Sequence, residues 1–552
     1  MRLSKFDIGA EIISIITKGM YPDPKDAIRE YIQNGIDAKA KTMSVRVRQE
    51  SIVISDDGIG MNRDILRKAV RIGVSDKNPS KDIGFMGIGI YSSFHLCNKM
   101  SIYSNGSENN PNLLEMDFGK MKDTLDAQKD ARLRNEINSD ELIDLQTLLE
   151  DCIELTENGE LDSGEFPNKG TRVELSMIEP EFYSSLSDFN EVKFYLQNVI
   201  PLHFNKENFS YAELIENKIQ EICIEKNQIF ELINLSLQVN AQNEILYRPY
   251  TDSDFNSKEK PLEPQFEMLE NGQFYGVAWG CLNSVRKKLQ SKDLRGFILK
   301  KQGFSIGKRE NLVKFFPRGN TFFDRYSGEI IIVNERILPN ASRNDIEYSP
   351  IRNSFYNTLK EVADKYDDAG HKYQETSKAK EHLATINNQF KNLMGKYNEF
   401  ETNPEILIDE IVKVKKLNDV LNNAIKRRGF DLESEMKAKA LLENIKDFEK
   451  SVQSRVTTLT NQRKTESKFK KNIVQKVKIA ENVSKINIDS SIDENKQYDN
   501  LIEVFEDLEF TLDDEFKKII ELLDEMFVQG LAESKKEYNE LLDTLKERYE
   551  QL

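Results

Sequence analysis

The sequence predicts an α+β chain in three parts: an α/β sandwich over residues 1–180, a second α/β domain over 181–354, and a helical or coiled-coil tail over 355–552. Three patterns carry that reading. Up to about residue 180, helical and strand-like periodicities alternate, as they do where helices cover a sheet. From 181 to about 350 the mixture returns, with strand-like runs at Gly276–Trp279, Gly296–Leu299 and Glu329–Asn334. Beyond about 355, Gly and Pro nearly vanish, and Lys, Glu, Leu and Asn dominate.

Composition narrows the function classes. A chain of 552 residues is too long for one core. No apolar run approaches the ~20 residues of a membrane span. The run Ile12–Ile16 is short and follows acidic residues, so neither a leader nor a membrane is expected, and the expected location is cytoplasmic. The formal net charge of −16 repels phosphate backbones, so charge lends nucleic acid no support as a partner; a local basic patch would still bind it. Cys97, Cys152, Cys223 and Cys281 show no CxxC spacing, which favours reduced thiols over zinc or disulfides.

The elements follow in order. Ala27–Ala38 has helical spacing and places Glu30, Asn34 and Asp37 on one face at i, i+4 and i+7, flanked by Ile28, Ile32 and Ile36. An amide on such a face can hold a magnesium ion that bridges phosphates. A carboxylate one turn earlier can orient an attacking water. A solvated amphipathic face gives the same pattern. Ser44–Ile54 alternates as a strand and ends in Asp56-Asp57-Gly58-Ile59-Gly60-Met61. There an aspartate can accept the exocyclic amine of adenine, glycines admit a flat ligand, and a methionine covers it. A plain Asp-Gly turn is the alternative. In Ile83–Phe94 the glycines Gly84, Gly87 and Gly89 are spaced GxxGxG and lead into a helix-like segment, where free backbone N–H groups can cradle phosphates. The spacing is that of neither a dinucleotide fold nor a P-loop. Lys120–Glu165 is polar and acidic and reads as an insertion. Lys169–Leu175 opens an alternating strand with Gly170-Thr171, whose hydroxyl could support Asp56. In the tail, Phe516, Ile519, Ile520, Leu523, Met526 and Phe527 recur at helical spacing, as do Leu541, Leu542 and Leu545; breaks are expected near Arg428–Phe430 and at Ile486–Tyr498.

In this order and at these separations, the four pieces resemble the motifs of the gyrase, Hsp90, histidine kinase and MutL (GHKL) ATPase superfamily. Ile83–Phe94 resembles the Hsp90 version most. The resemblance covers about residues 5–350. It implies ATP and Mg2+ as cofactors, with Glu30 as general base and Asn34 as the metal ligand. Asp56 would contact adenine beside Gly58, Gly60 and Met61, with Asp37 near the base. Gly84, Gly87, Ile88 and Gly89 would line the phosphates, and Thr171 would support Asp56. Residues between Asn62 and Met86 would form a lid, from which Lys77 reaches either a phosphate or solvent. In the second domain, Leu338-Pro339-Asn340-Ala341-Ser342-Arg343 is similar to the Hsp90 stretch that brings an arginine to the γ-phosphate, which makes Arg343 the first candidate for that role. Lys301, in the basic run Lys300-Lys301, ranks second by analogy with gyrase-like relatives.

The expected function is an ATP-hydrolysing conformational switch. It would act on a protein client or partner enzyme, in a bacterial defence setting, as a homodimer clamped through the N-terminal domain and the tail. The alternative is an ATP-gated DNA clamp of the MORC or topoisomerase kind. A kinase reading lacks an acceptor-histidine helix before residue 30, and a fourth reading makes the tail the main actor, gating a partner enzyme.

Overall fold

The computed structural model describes residues 8–74, 77, 87–106, 111–138, 141–156, 166–255, 261–400, 404–426 and 429–462. Gly84, most of the expected lid after Val74, and the periodic tail segments beyond Gln462 lie outside the described residues. The chain forms two units, residues 1–374 and 375–552.

The first unit opens with α1 (Ile12–Met20), α2 (Lys25–Asp37), β1 (Thr42–Val47), β2 (Ser51–Asp56) and α3 (Arg63–Ala69). It continues with β3 (Cys97–Asn105), β4 (Pro111–Asp117), α4 (Phe118–Leu133), α5 (Leu145–Cys152), β5 (Ile153–Thr156) and β6 (Gly170–Ile178). Then come α6 (Pro180–Leu186), α7 (Phe189–Val199), α8 (Ala212–Glu225), β7 (Asn234–Val239) and β8 (Gln242–Leu246). The eight strands form one sheet in the order β5-β4-β3-β6-β2-β1-β7-β8. All neighbours are antiparallel except β1 and β7. Alternation sets which face is covered. Met43, Val45 and Val47 of β1, with Ile52 and Ile54 of β2, are buried in the same core as Ile28, Ile32 and Ile36 of α2.

Three sequence expectations change here. Ser44–Ile54 is two antiparallel strands, because the polar Arg48-Gln49-Glu50 turn sits between them and Arg48 N–H closes on the Ser51 carbonyl at 2.8 Å. The segment expected as an acidic insertion is part of the domain: Phe118, Met121 and Leu125 of α4 and Leu148 and Cys152 of α5 enter the core, and β5 pairs with β4. The boundary at 180 cuts the sheet, since β7 and β8 complete it by parallel pairing of β7 on β1 after a helical crossover.

The unit then carries α9 (Asp252–Phe255), β9 (Gln265–Glu270), β10 (Phe274–Leu282), β11 (Gly296–Lys301), β12 (Phe304–Ile306), α10 (Asn320–Phe323) and β13 (Tyr326–Ile332), with a second sheet ordered β12-β11-β13-β10-β9. The strands expected at 276–279, 296–299 and 329–334 are β10, β11 and β13. Helix α11 (Pro350–Phe400) begins in this unit, and Phe355, Leu359, Val362 and Tyr366 pack into the core of the second sheet. A boundary at 355 therefore falls inside a helix whose first turns belong to the sheet. The second unit holds the rest of α11, α12 (Pro404–Lys426) and α13 (Leu432–Gln462) around Ile386, Phe390, Val414, Leu421, Leu442 and Ile445. The break expected near Arg428–Phe430 lies between α12 and α13. No described helix is long and apolar enough to cross a membrane.

Candidate functional site

Helix α2 packs against β1 and the end of β2. A Cβ built on Gly35 would meet the Met43 Cε at 2.4 Å and the Asp56 Cβ at 3.1 Å, so a larger residue would push the Met43 methyl aside and crowd Asp56. That approach brings the polar face of α2 and the end of β2 to one cavity of about 470 Å³. Glu30, Asn34 and Asp37 line it with Asp56, Gly60, Met61, Lys77, Gly87, Ile88, Gly89 and Thr171. Arg343 lines it as well, from the segment after β13. Four sequence motifs separated by up to about 140 residues in the first domain, and a fifth from the second, thus share one wall. The volume is that of a small-molecule or cofactor site.

Asp56 is the last residue of β2, opposite Thr171 of β6. Burial pushes its carboxyl up to about 6, and hydrogen bonds from the backbone of Gly58 and Thr171 hold it from rising further. The Gly58 N–H donates to Asp56 Oδ1 at 2.9 Å. The expected support by the Thr171 hydroxyl takes another form: Thr171 Oγ1 pairs with Ser104 Oγ at 2.9 Å, and it is the backbone of Thr171 that bonds Asp56. Gly60 sits at φ 68°, and a Cβ there would strike the Asn105 carbonyl oxygen at 2.2 Å, which fixes glycine at the turn. Met61 N–H then donates to Ser104 Oγ at 2.7 Å. Ser104 joins the turn after β2 to the start of β6. No sequence signal marks it, because its role follows from register with Thr171.

Glu30 is buried, and its carboxylate faces two guanidinium groups. Arg343 Nε donates to Glu30 Oε1 at 3.1 Å, and Arg29 Nη2 lies 3.8 Å from the same oxygen. Gly89 is on its other side: a Cβ there would meet Glu30 Oε2 at 3.1 Å. Tyr21, absent from the sequence reading, also lines the cavity; burial and the nearby Glu30 charge raise its phenol far above the usual range. Lys77 Nζ bonds Asn34 Oδ1 at 2.8 Å and Asp37 Oδ2 at 2.7 Å, so its ammonium is held at the cavity wall while its side chain stays partly exposed.

Arg343 reaches Glu30 from a tight loop. Its φ is 52°, and its N–H donates to the Asn340 carbonyl at 2.9 Å. The Asn340 side chain accepts from the Asn344 N–H at 3.0 Å, and the Gly307 N–H donates to the Arg343 carbonyl at 2.9 Å. Lys301 is not brought to the cavity. It is buried at the end of β11, its ammonium donates to the Asn334 carbonyl at 2.5 Å, and burial lowers its pKa to about 8, with Glu335 opposing. Packing of the β11–β12 hairpin turns it away, and only Arg343 of the two expected cations lines the cavity.

The donor set fits a nucleotide and its metal on two counts. Asn34 Oδ1 already receives a cation from Lys77, and Asp56 presents a buried carboxylate with oxygen to spare for an amine.

Residues 22–143 match the family model described as "Histidine kinase-, DNA gyrase B-, and HSP90-like ATPase". A stretch of 97 residues is 33% identical to a protein of Herpetosiphon aurantiacus named "Putative type II restriction enzyme HgiDII", covering 16% of each chain. A stretch of 122 residues is 31% identical to the DNA mismatch repair protein MutL of Fervidobacterium nodosum, covering 20% of each. The chain therefore spans about a fifth or less of the length of these relatives. Among solved structures, the N-terminal domain of a DNA repair protein aligns with 65% of this chain and 98% of its own, at 15% identity and a TM-score of 0.37. Residues 22–143 thus carry the likeness to a GHKL-type ATPase domain. These matches group them with the superfamily and do not single out Hsp90.

Proposed function

We propose that this ATPase domain binds ATP with Mg2+ in the cavity beside α2 and hydrolyses it to drive a conformational switch. The observation that supports it best is the Arg343–Glu30 pair, which sets a guanidinium from the second domain against the carboxylate that orients water. Asp56 accepts the adenine amine, with Gly58, Gly60 and Met61 beside the ring. Asn34 holds the metal, which neutralises phosphate charge. The glycine-flanked segment Gly87–Gly89 presents backbone to the phosphates. During turnover Arg343 exchanges Glu30 for the γ-phosphate, where a planar guanidinium stabilises developing charge, and Glu30 is then free to orient the attacking water. Because Arg343 follows a strand of the second sheet, hydrolysis is coupled to how that sheet sits on the first.

The output of the switch is movement of a protein client or partner enzyme, exerted by a homodimer, with bacterial defence as the setting. A second reading, an ATP-gated DNA clamp, draws support from the two relatives whose names place them in restriction and mismatch repair. Duplex DNA binding that weakens steeply with salt favours the clamp; salt-insensitive or absent binding favours the protein client.

The test of the site is Glu30→Ala. Purified variant protein should bind ATP with near-normal affinity in calorimetry and lose at least about 100-fold in turnover. Unchanged turnover removes Glu30 from the mechanism.

A further inference from the structure

Two ion pairs lie in the cavity wall. Glu30 is paired with Arg343, and Asp37 is paired with Lys77. The second pair is the more informative, because Lys77 contacts the residue expected to hold the metal. Its ammonium lies 2.8 Å from Asn34 Oδ1 and 2.7 Å from Asp37 Oδ2. The Asp37 side chain is 5% exposed and that of Lys77 33%, so the contact is shielded on the carboxylate side and open on the lysine side. Gly73 N–H donates to the Gly87 carbonyl at 3.1 Å, and Val74 lines the same cavity.

An ammonium and a magnesium ion compete for Asn34 Oδ1. Magnesium binds oxygen at ~2.1 Å and demands a near-octahedral set, while Lys77 already fills the space in front of that oxygen at hydrogen-bond distance. Two cations a few ångströms apart also repel strongly in a half-buried site. We propose that Lys77 is a built-in counter-ion for the metal position, keeping a divalent metal from Asn34 and Asp37 until nucleotide phosphates arrive to pair with the Lys77 charge. Metal and nucleotide then enter together, and metal alone does not. This rests on the reading of Asn34 as the metal ligand. It assigns Lys77 a role in the order of binding, separate from any later contact with a phosphate.

The physical consequence is an exchange of cations at Asn34 and Asp37, with the nucleotide phosphates bringing the negative charge that both cations then share. Lys77 leaves a carboxylate and an amide oxygen and gains phosphate oxygens as partners. Lysine suits this because its compact charge rides on a flexible stem and is easily re-aimed. A methionine of similar length keeps the packing of the stem and removes the charge.

The test uses the full chain and Mn2+ as a paramagnetic probe. Free and bound Mn2+ are separated by electron paramagnetic resonance, first without nucleotide and then with ADP. Without nucleotide, Lys77→Met should bind Mn2+ at least about 10-fold more tightly than the parent protein, and adding Asn34→Ala to that variant should abolish the gain. Equal Mn2+ affinity in the parent and Lys77→Met, alongside intact binding of ADP with Mn2+, overturns the counter-ion role while leaving the nucleotide site standing. Failure of the parent protein to bind ADP with Mn2+ sinks the nucleotide reading itself, and the present inference with it. A gain that persists in Lys77→Met with Asn34→Ala places the new metal elsewhere and also overturns the proposal.

Discussion

Two carboxylates in this chain each meet several cations, and they do opposite things. Glu329, in the middle of β13, is fully buried in the second sheet. Arg248 Nη1 lies 2.7 Å from its Oε2 and Lys300 Nζ 2.8 Å from its Oε1, with the Tyr250 hydroxyl at 3.2 Å. Arg309 closes the cluster by donating to the Tyr250 hydroxyl and to the Gly296 carbonyl. Glu30 is nearly as buried, but it borders a cavity and holds its closest cation by one contact from another domain. Burying a charge costs several kcal/mol unless partners surround it. Glu329 is surrounded, so its cluster is a permanent joint between β13, β11 and the segment after β8. Glu30 has fewer partners and borders the cavity, which is what the proposed exchange of Arg343 for a phosphate requires. Enclosure and the number of partners, rather than residue type, distinguish the two pairs.

The largest expected effect tests the joint. Glu329→Ala leaves Arg248, Lys300 and Arg309 facing one another without their anion, and should cost about 3–5 kcal/mol in urea unfolding. Nucleotide affinity should change little in whatever fraction remains folded, because the cluster does not line the cavity. A loss under ~1 kcal/mol would show that the cluster is not a joint. The pH dependence carries the same sign of evidence. Burial alone would raise the Glu329 carboxyl, but Arg248 and Lys300 outweigh it and hold it down at about 2. A depressed carboxyl lends stability above its unfolded value near 4.5, and that stability drains away as pH falls toward 2.

Asp56 gives the second test, with the opposite slope. Its carboxyl is raised from 3.8 to about 6 by burial, so the native protein keeps a proton that the unfolded chain has lost. Folding stability from this residue therefore falls as pH rises between about 4 and 6, by up to about 3 kcal/mol, and stays low above that. Asp56→Asn should remove the slope and leave the nucleotide-free protein no less stable at pH 7.5, while abolishing ATP binding in calorimetry. Loss of binding with stability retained assigns Asp56 to the ligand, and loss of both assigns it to the fold. In the parent protein, ATP affinity should drop about 10-fold for each pH unit below 6, because only the ionised carboxylate accepts the amine without first losing a proton.

The contrast also explains what could be read in the sequence. That Glu30, Asn34 and Asp37 share one cavity wall is legible because helical spacing puts i, i+4 and i+7 on one face, and spacing survives in sequence. The place of Asp56 at a strand end is legible from the glycines that follow it. The joint at Glu329 was invisible: Arg248, Lys300, Arg309 and Glu329 meet only through sheet order, with no shared motif. The extension of the first sheet by β7 and β8 was missed for the same reason, since parallel pairing with β1 is nonlocal. Arg343 and Lys301 could not be ranked by charge alone. Packing decides between them: one sits on a tight loop and reaches Glu30, and the other is buried at the end of β11, where its ammonium bonds the Asn334 carbonyl.

Ser104 is the smallest case and the sharpest, because it shares features of both carboxylates. Its hydroxyl is buried, as Glu329 is, and it accepts the Met61 N–H at 2.7 Å while pairing with Thr171 at 2.9 Å. Yet it holds the turn that carries Gly60 and Met61 to the cavity that Glu30 also lines. Ser104→Ala leaves a backbone N–H and the Thr171 hydroxyl without this partner and should cost about 1–2 kcal/mol of stability. If the hydroxyl also positions the turn, ADP affinity falls several-fold in the same variant, and Thr171→Ala combined with it costs less than the two changes added separately. If affinity is untouched, the bond is a strand-to-strand staple only, and the position of Met61 is set by Gly60 alone. A strictly additive double variant would show that Ser104 and Thr171 act independently, and that the link from β3 to the turn does not pass through their shared hydrogen bond.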